Sequence, residues 1–125
     1  MQAIYQIRNI ANNKIYIGST NNVRKRWNNH RSKLNNGKHE NQYLQLAWQK
    51  YGENSFEFTI IEEVNDNNRI EREIYHLNEK KSYERNIGYN FDKIEIVAHY
   101  TSTNLNNGPT NNWSIVGIKL LHKLR

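Results

Sequence analysis

Two short runs near the start of the chain constrain its fold more than any other feature. They are Ile4-Tyr5-Gln6-Ile7 and Lys14-Ile15-Tyr16-Ile17-Gly18. Both are rich in Ile and Tyr, residues that favour a pleated, half-buried surface. Asn9, Asn12 and Asn13 lie between them and favour a turn. The pair reads as an antiparallel hairpin. If paired residue numbers sum to 21, Tyr5 faces Tyr16 and both rings share one side of the sheet; a bulge would shift that register. A lone hairpin is at best marginally stable in water, so the rest of the chain must cover it.

The following segments supply that cover. Ser19-Thr20-Asn21-Asn22 offers N-cap side chains for a helix over 23–35, with Val23, Trp27 and Leu34 as its apolar stripe. Arg26, His30 and Lys33 fall on one face beside that stripe. Asn35-Asn36-Gly37 ends the helix. A second helix is expected over 40–51, through Leu44, Ala47, Trp48 and Tyr51, with Gly52 closing it. Ser55 to Val64 alternates, placing Phe56, Phe58 and Ile60 on one strongly apolar face of a third strand. Asn65-Asp66-Asn67-Asn68 precedes a third helix over 68–81, with Ile70, Ile74 and Leu77 as its stripe. Arg85 to Asn90 reads as a turn into a short extended piece. The expected fold class is α/β of the α+β kind: a three-stranded antiparallel sheet flanked by about three helices, with a C-terminal extension. Thr101–Asn112 reads as a linker, and Ser114–Arg125 as a short basic helix weakened by Gly117.

Composition narrows the chemistry. The 125 residues contain no Cys, which excludes a disulfide framework, a thiolate zinc site and cysteine catalysis. No apolar run approaches the ~18 residues of a spanning helix. The N-terminus shows no secretory pattern, so an intracellular protein is expected, cytoplasmic or nucleoid-associated, with no membrane partner. The net charge of +6 is unevenly spread. Residues 1–52 carry nine Lys and Arg against a single acid, Glu40; residues 53–92 carry ten acids against five bases. Such a basic first half reads either as a solvated face or as a phosphate-binding surface, with Arg24, Lys25, Arg31, Lys33 and Lys38 as its outer cations. The acidic middle would then supply a metal ligand.

No Gly-rich phosphate loop or zinc pair is visible, and Ser19 lacks the flanking glycines of a nucleophile elbow. The remaining candidates each have a plain alternative. Tyr5 and Tyr16 read as a cross-strand packing pair or as site residues. Arg26 and His30 read as a surface pair or as a phosphate-facing pair. Glu73 falls nearer the Ile70/Ile74/Leu77 stripe than Glu71 does, and reads as a solvated charge or as a cleft carboxylate. His39 reads as a cap or surface residue, or as part of the site.

Their order carries a family resemblance. Ala3-Ile4-Tyr5, ten residues, then Tyr16-Ile17-Gly18 resembles the signature of the GIY-YIG nuclease superfamily. The resemblance continues through Gly18-Ser19-Thr20, Arg26-Trp27-x-x-His30, Lys50-Tyr51-Gly52, Ile61-Glu62-Glu63, Ile70-Glu71-Arg72-Glu73 and Gly88-Tyr89-Asn90. It is closest in appearance to the catalytic domain of phage-type, intron-encoded homing endonucleases. The chain departs from the signature at Ala3, where the family has Gly. The resemblance implies a catalytic domain over 1–92 and an extension over 93–125. It implies a DNA endonuclease of low intrinsic sequence specificity that leaves 5′-phosphate and 3′-hydroxyl ends. A non-catalytic DNA-binding module of the same fold, and a restriction- or repair-type nuclease, are the competing functions. It further implies that Tyr5 and Tyr16 line the site, and that one of them, Tyr5 ahead of Tyr16, helps to take the proton of the attacking water. Arg26 would neutralise the scissile phosphate, and His30 would handle a proton or contact phosphate. Glu73 would hold one divalent cation, Mg²⁺ with Mn²⁺ able to replace it. Asn90 would support the site, His39 would match a histidine of the homing group, and Gly18 would let the backbone pack behind Tyr16. Double-stranded DNA is the implied partner, a monomer the expected state, and a phage or mobile element the implied origin.

Overall fold

The computed structural model describes residues 1–91. The expected C-terminal linker and basic helix lie outside them. Strand β1 spans Ala3–Asn9, β2 spans Ile15–Thr20 and β3 spans Phe56–Glu63; helix α1 spans Val23–Asn35, α2 spans Gln42–Tyr51 and α3 spans Arg69–Lys80. The three strands form one antiparallel sheet in the order β2-β1-β3. This is the α+β architecture expected from the sequence.

Asparagine side chains build the hairpin turn. Asn9 Oδ1 accepts from the Ala11 N–H at 3.0 Å, Asn12 Oδ1 accepts from the Lys14 N–H at 2.9 Å, and Asn13 adopts φ +62°. Asn tolerates this left-handed conformation better than most residues. The Asn9 N–H then bonds to the Lys14 carbonyl, closing the turn over residues 10–13. The register is therefore two residues away from the expected one: Tyr5 lies opposite Gly18, and Tyr16 opposite Ile7. Because the shift is even, both tyrosines still share a face.

That face carries the larger part of the core. Tyr5, Ile7, Tyr16 and Phe56 pack with Leu34 of α1 and with Leu44, Ala47 and Trp48 of α2. The alternation of β1 and β2 turns Ile4 and Ile17 the other way. α3 packs against β2 and β1, burying Ile74 and Leu77. Asn22 caps α1, its side chain accepting from the Lys25 N–H at 3.1 Å. α2 begins at Gln42 rather than 40, because Asn41 Oδ1 accepts from the N–H groups of Tyr43 and Leu44. Gly52, at φ +87°, ends it. The expected apolar face of β3 holds only in part. Ile60 is 43% exposed, because β3 is an edge strand and a bulge interrupts its pairing with β1 between Ile4 and Tyr5.

The outer edge of β2 is covered by the extended piece before Asn90. Ile15 and Gly88 form a parallel bridge, and the Tyr89 N–H bonds to the Ile15 carbonyl at 2.8 Å. Gly18 is required by a close approach. A Cβ there would lie 2.6 Å from Tyr5 Cζ and 3.1 Å from Cε1. The ring packed over Gly18 is thus that of its cross-strand neighbour Tyr5, not Tyr16. Tyr5 is fully buried, so its ring could yield only by shifting against its core neighbours. Gly18→Ala should cost about 1–3 kcal/mol in chemical denaturation; an unchanged midpoint would show that the ring moves freely.

Candidate active site

The site grows from Tyr5, in the central strand β1. Its Oη meets His30 Nε2 at 2.5 Å and accepts from Arg26 Nε at 3.2 Å. Both partners stand on α1, four residues apart, so one helical turn delivers two donors to one phenol. His30 in turn meets His39: His30 Nδ1 lies 2.8 Å from His39 Nε2, and the rings stack at 5.0 Å. The Asn41 main-chain N–H donates to His39 Nδ1 at 3.0 Å. That bond assigns the tautomers. His39 Nδ1 is an acceptor, so its proton sits on Nε2 and is donated to His30 Nδ1. His30 therefore carries its proton on Nε2 and donates it to Tyr5 Oη.

Burial sets the charge states. It pushes the Tyr16 phenol up to about 12 and Tyr5 well above its ordinary value. Arg26 pulls the other way on both. Burial, then Arg26 and His39, drive His30 down to about 2, so His30 is a neutral imidazole at any physiological pH. His39 is also held below its ordinary value, chiefly by burial. Burial works against the Arg26 charge, but the two phenols hold that guanidinium above its ordinary value.

Glu73 comes from α3, and Ser19 Oγ donates to its Oε1. Burial raises this carboxyl to about 7, against smaller lowering effects from Ser19, Arg69 and Arg26. It is 8% exposed, while Glu71 is exposed. The Asn90 side chain makes two hydrogen bonds to one residue of β2: Nδ2 donates to the Ile17 carbonyl at 2.9 Å, and Oδ1 accepts from the Ile17 N–H at 2.8 Å. It pins the strand edge beside Tyr16.

The sequence candidates thus converge unevenly. Tyr5, Arg26, His30 and His39 form one connected network, and Tyr16 packs on both histidine rings. Glu73 joins electrostatically, raising both phenols. Neither His30 nor His39 is a surface residue; they are 0% and 8% exposed. Arg24, Lys25, Lys33 and Lys38 are exposed, whereas Arg31 is half-buried with its guanidinium 4.3 Å from the Phe58 ring centroid. Three contributors escaped the sequence reading. Ser19 reads in the sequence as a cap residue, a failed nucleophile elbow and part of the resemblance, not as a partner of Glu73. Asn41 orients His39, and its sole signal was cap chemistry before α2. Glu40 lies against Arg26, and its signal was being the single acid in a basic stretch.

A profile of the GIY-YIG catalytic domain matches residues 1–104. The chain belongs to the GIY-YIG nuclease family. It is 42% identical over 81 residues to intron-associated endonuclease 1 of Enterobacteria phage T4, a match covering 63% of this chain. It spans about a third (33%) of that relative's length. Two solved structures of the catalytic domain of intron endonuclease I-TevI, one of them a mutant form, resemble it with TM-scores of 0.66. Their identities are 39% and 37%; the matches cover 73% and 74% of this chain, and 93% and 99% of theirs. GIY-YIG nucleases generally depend on a divalent metal. Among the described residues, no three His, Asp or Glu side chains cluster as a ligand set. A cation entering here would meet one buried carboxylate, Glu73, which its neighbours do not keep fully ionised at neutral pH. That fits a hard cation that retains several waters and takes one or two carboxylates. No described helix is long and apolar enough to cross a membrane.

Proposed function

We propose that this chain is a divalent-metal-dependent DNA endonuclease whose catalytic domain occupies residues 1–92. The observation that carries the proposal is the convergence of Arg26 and His30 on Tyr5, with Tyr16 and Glu73 within electrostatic reach. A structural network alone has no need of a 25%-exposed arginine on a buried phenol beside a buried carboxylate. Phosphodiester hydrolysis needs all of these groups: charge neutralisation, a proton acceptor and a cation site.

Arg26 binds the scissile phosphate, its planar fork suiting a phosphate better than Lys would. Tyr16, which keeps 6% exposure while Tyr5 has none, is the proton acceptor in its phenolate form: its own proton leaves first to solvent, with the Arg26 charge offsetting part of the proton affinity that burial raises. Exposure favours Tyr16 for the role that the resemblance gave to Tyr5. Tyr5 holds Arg26 and His30 in place. His30, buried and neutral, orients Tyr5 and makes no charged phosphate contact. Glu73 would hold Mg²⁺, or Mn²⁺ in its place, and the cation would supply charge neutralisation to the reacting phosphodiester. The products are 5′-phosphate and 3′-hydroxyl ends. The partner is double-stranded DNA, reached by Arg24, Lys25, Lys33 and Lys38, with Arg31 at the margin. A monomeric protein with a homing-type role in an intracellular, phage-related setting is the biological reading.

Nicking of supercoiled plasmid across a Mg²⁺ series tests the activity. Salt-sensitive DNA binding without metal-dependent nicking would favour the non-catalytic module instead. The two phenols separate by substitution. Tyr16→Phe should abolish nicking and leave the melting temperature near wild type. Tyr5→Phe should lower both, because it leaves the buried His30 Nε2–H and the half-buried Arg26 Nε–H without that acceptor, at about 1–3 kcal/mol. Full activity in Tyr16→Phe would return the acceptor role to Tyr5.

A further inference from the structure

Glu40 has no part in the chemistry above, yet it is the single acid in the first 52 residues. Its Oε1 lies 3.6 Å from Arg26 Nη2, and its Oε2 accepts from Lys33 Nζ at 3.3 Å. One carboxylate therefore pairs with two of the cations assigned to DNA. Its backbone is fixed on both sides. The His39 N–H donates to Gln45 Oε1 at 2.9 Å, the His39 ring stacks on His30, and Asn41 caps α2. The carboxylate is one-quarter exposed, so a ligand arriving at Arg26 would meet it. Burial works against its charge, but a backbone hydrogen bond, Lys33 and Arg26 keep it below the ordinary carboxylate range, hence ionised at neutral pH.

We infer that Glu40 sets DNA affinity: it holds Arg26 and Lys33 where a backbone phosphate would sit, and DNA must displace it. The inference rests on the proposed reading of Arg26 and Lys33 as phosphate contacts. The Arg26 contact, at 3.6 Å, is an ion pair beyond good hydrogen-bond length, so a phosphate oxygen can replace it with a shorter, charge-assisted bond. Carboxylate and phosphodiester are both monoanions with oxygen acceptors, and they compete for the same donors. The competition weakens ground-state and transition-state binding alike, so it acts on KM rather than kcat.

The test is binding of a labelled duplex in EDTA across a NaCl series, with wild type, Glu40→Gln, Glu40→Asp, Lys33→Ala, Arg26→Ala and the Glu40→Gln/Lys33→Ala double variant. Glu40→Gln should bind roughly three- to tenfold more tightly at low salt. Its salt slope should steepen by about one, because each neutralised phosphate contributes about −0.9 and Glu40 cancels close to one. With Mg²⁺ restored, KM should fall while kcat stays within about twofold. The gain should shrink in the Lys33→Ala background. Glu40→Asp keeps the charge and should stay close to wild type. Unchanged affinity and slope in Glu40→Gln, while Lys33→Ala and Arg26→Ala weaken binding, would overturn the inference alone. Equal tightening by Asp and Gln would also overturn it, since charge would then not be the agent. If neither Lys33→Ala nor Arg26→Ala weakens binding, the phosphate-contact reading fails and takes the inference with it.

Discussion

Glu73→Gln is expected to abolish plasmid nicking and, at the same time, to make the metal-free protein more stable. The loss of activity should be on the order of 10³-fold or more, because an amide is a poor ligand for a hard cation and the charge at the phosphate goes uncompensated. The gain in stability follows from the buried carboxyl. Burial raises its folded value to about 7, from an ordinary 4.5. Between those two pH values the unfolded chain has released a proton that the folded chain still holds. Stability is therefore lost as pH rises through this window, and the loss levels off above about 7. A rise of this size corresponds to roughly 2–4 kcal/mol at alkaline pH. Gln keeps the shape and an acceptor for Ser19, and removes the charge. In EDTA the variant should melt several degrees above wild type at pH 8, with the gap closing towards pH 4.5. A Gln variant that melts below wild type at pH 8 would mean that Glu73 is already ionised and well paired, and that no cation is wanted there.

Arg26→Ala has the second largest expected effect. Nicking turnover should fall by about 10²–10³-fold, the usual loss when one donor aimed at developing charge is removed. DNA affinity should weaken far less, by under about tenfold, because it is one phosphate contact among several. Arg26→Lys should recover affinity more fully than turnover. An ammonium keeps the charge but cannot serve Tyr5 and a phosphate with the two edges of one planar fork. Equal losses in turnover and affinity would reduce Arg26 to an ordinary phosphate contact.

The hairpin shows how far local chemistry reads through. Ile and Tyr alternation placed β1 and β2, and the Asn turn joined them. The register depended on which residues close the turn, and the Asn9–Lys14 bond chose a value two residues from the expected one. The tyrosines kept a common face because sheet faces repeat every two residues. The helices read through for a similar reason: caps and apolar stripes are local, and α1 spans the expected 23–35. Glu73 was legible from its place beside the Ile74 and Leu77 stripe. The exposure of Ile60 was not, since an edge position and a bulge are properties of the whole sheet.

The residues alone determined the elements, their faces and the ordered set Tyr5, Tyr16, Arg26, His30, Glu73 and Asn90. They also determined that cations crowd the first half and acids the middle. Tertiary structure decided which groups touch. It buried Tyr5 completely and Tyr16 to 6% exposure, made the two histidines neutral by burying them on each other, and set Glu40 against Arg26 and Lys33. The physical reason is range. Propensity, capping and periodicity act within a few residues, whereas exposure, proton affinity and ion pairing depend on which distant segments exclude water from the same atom.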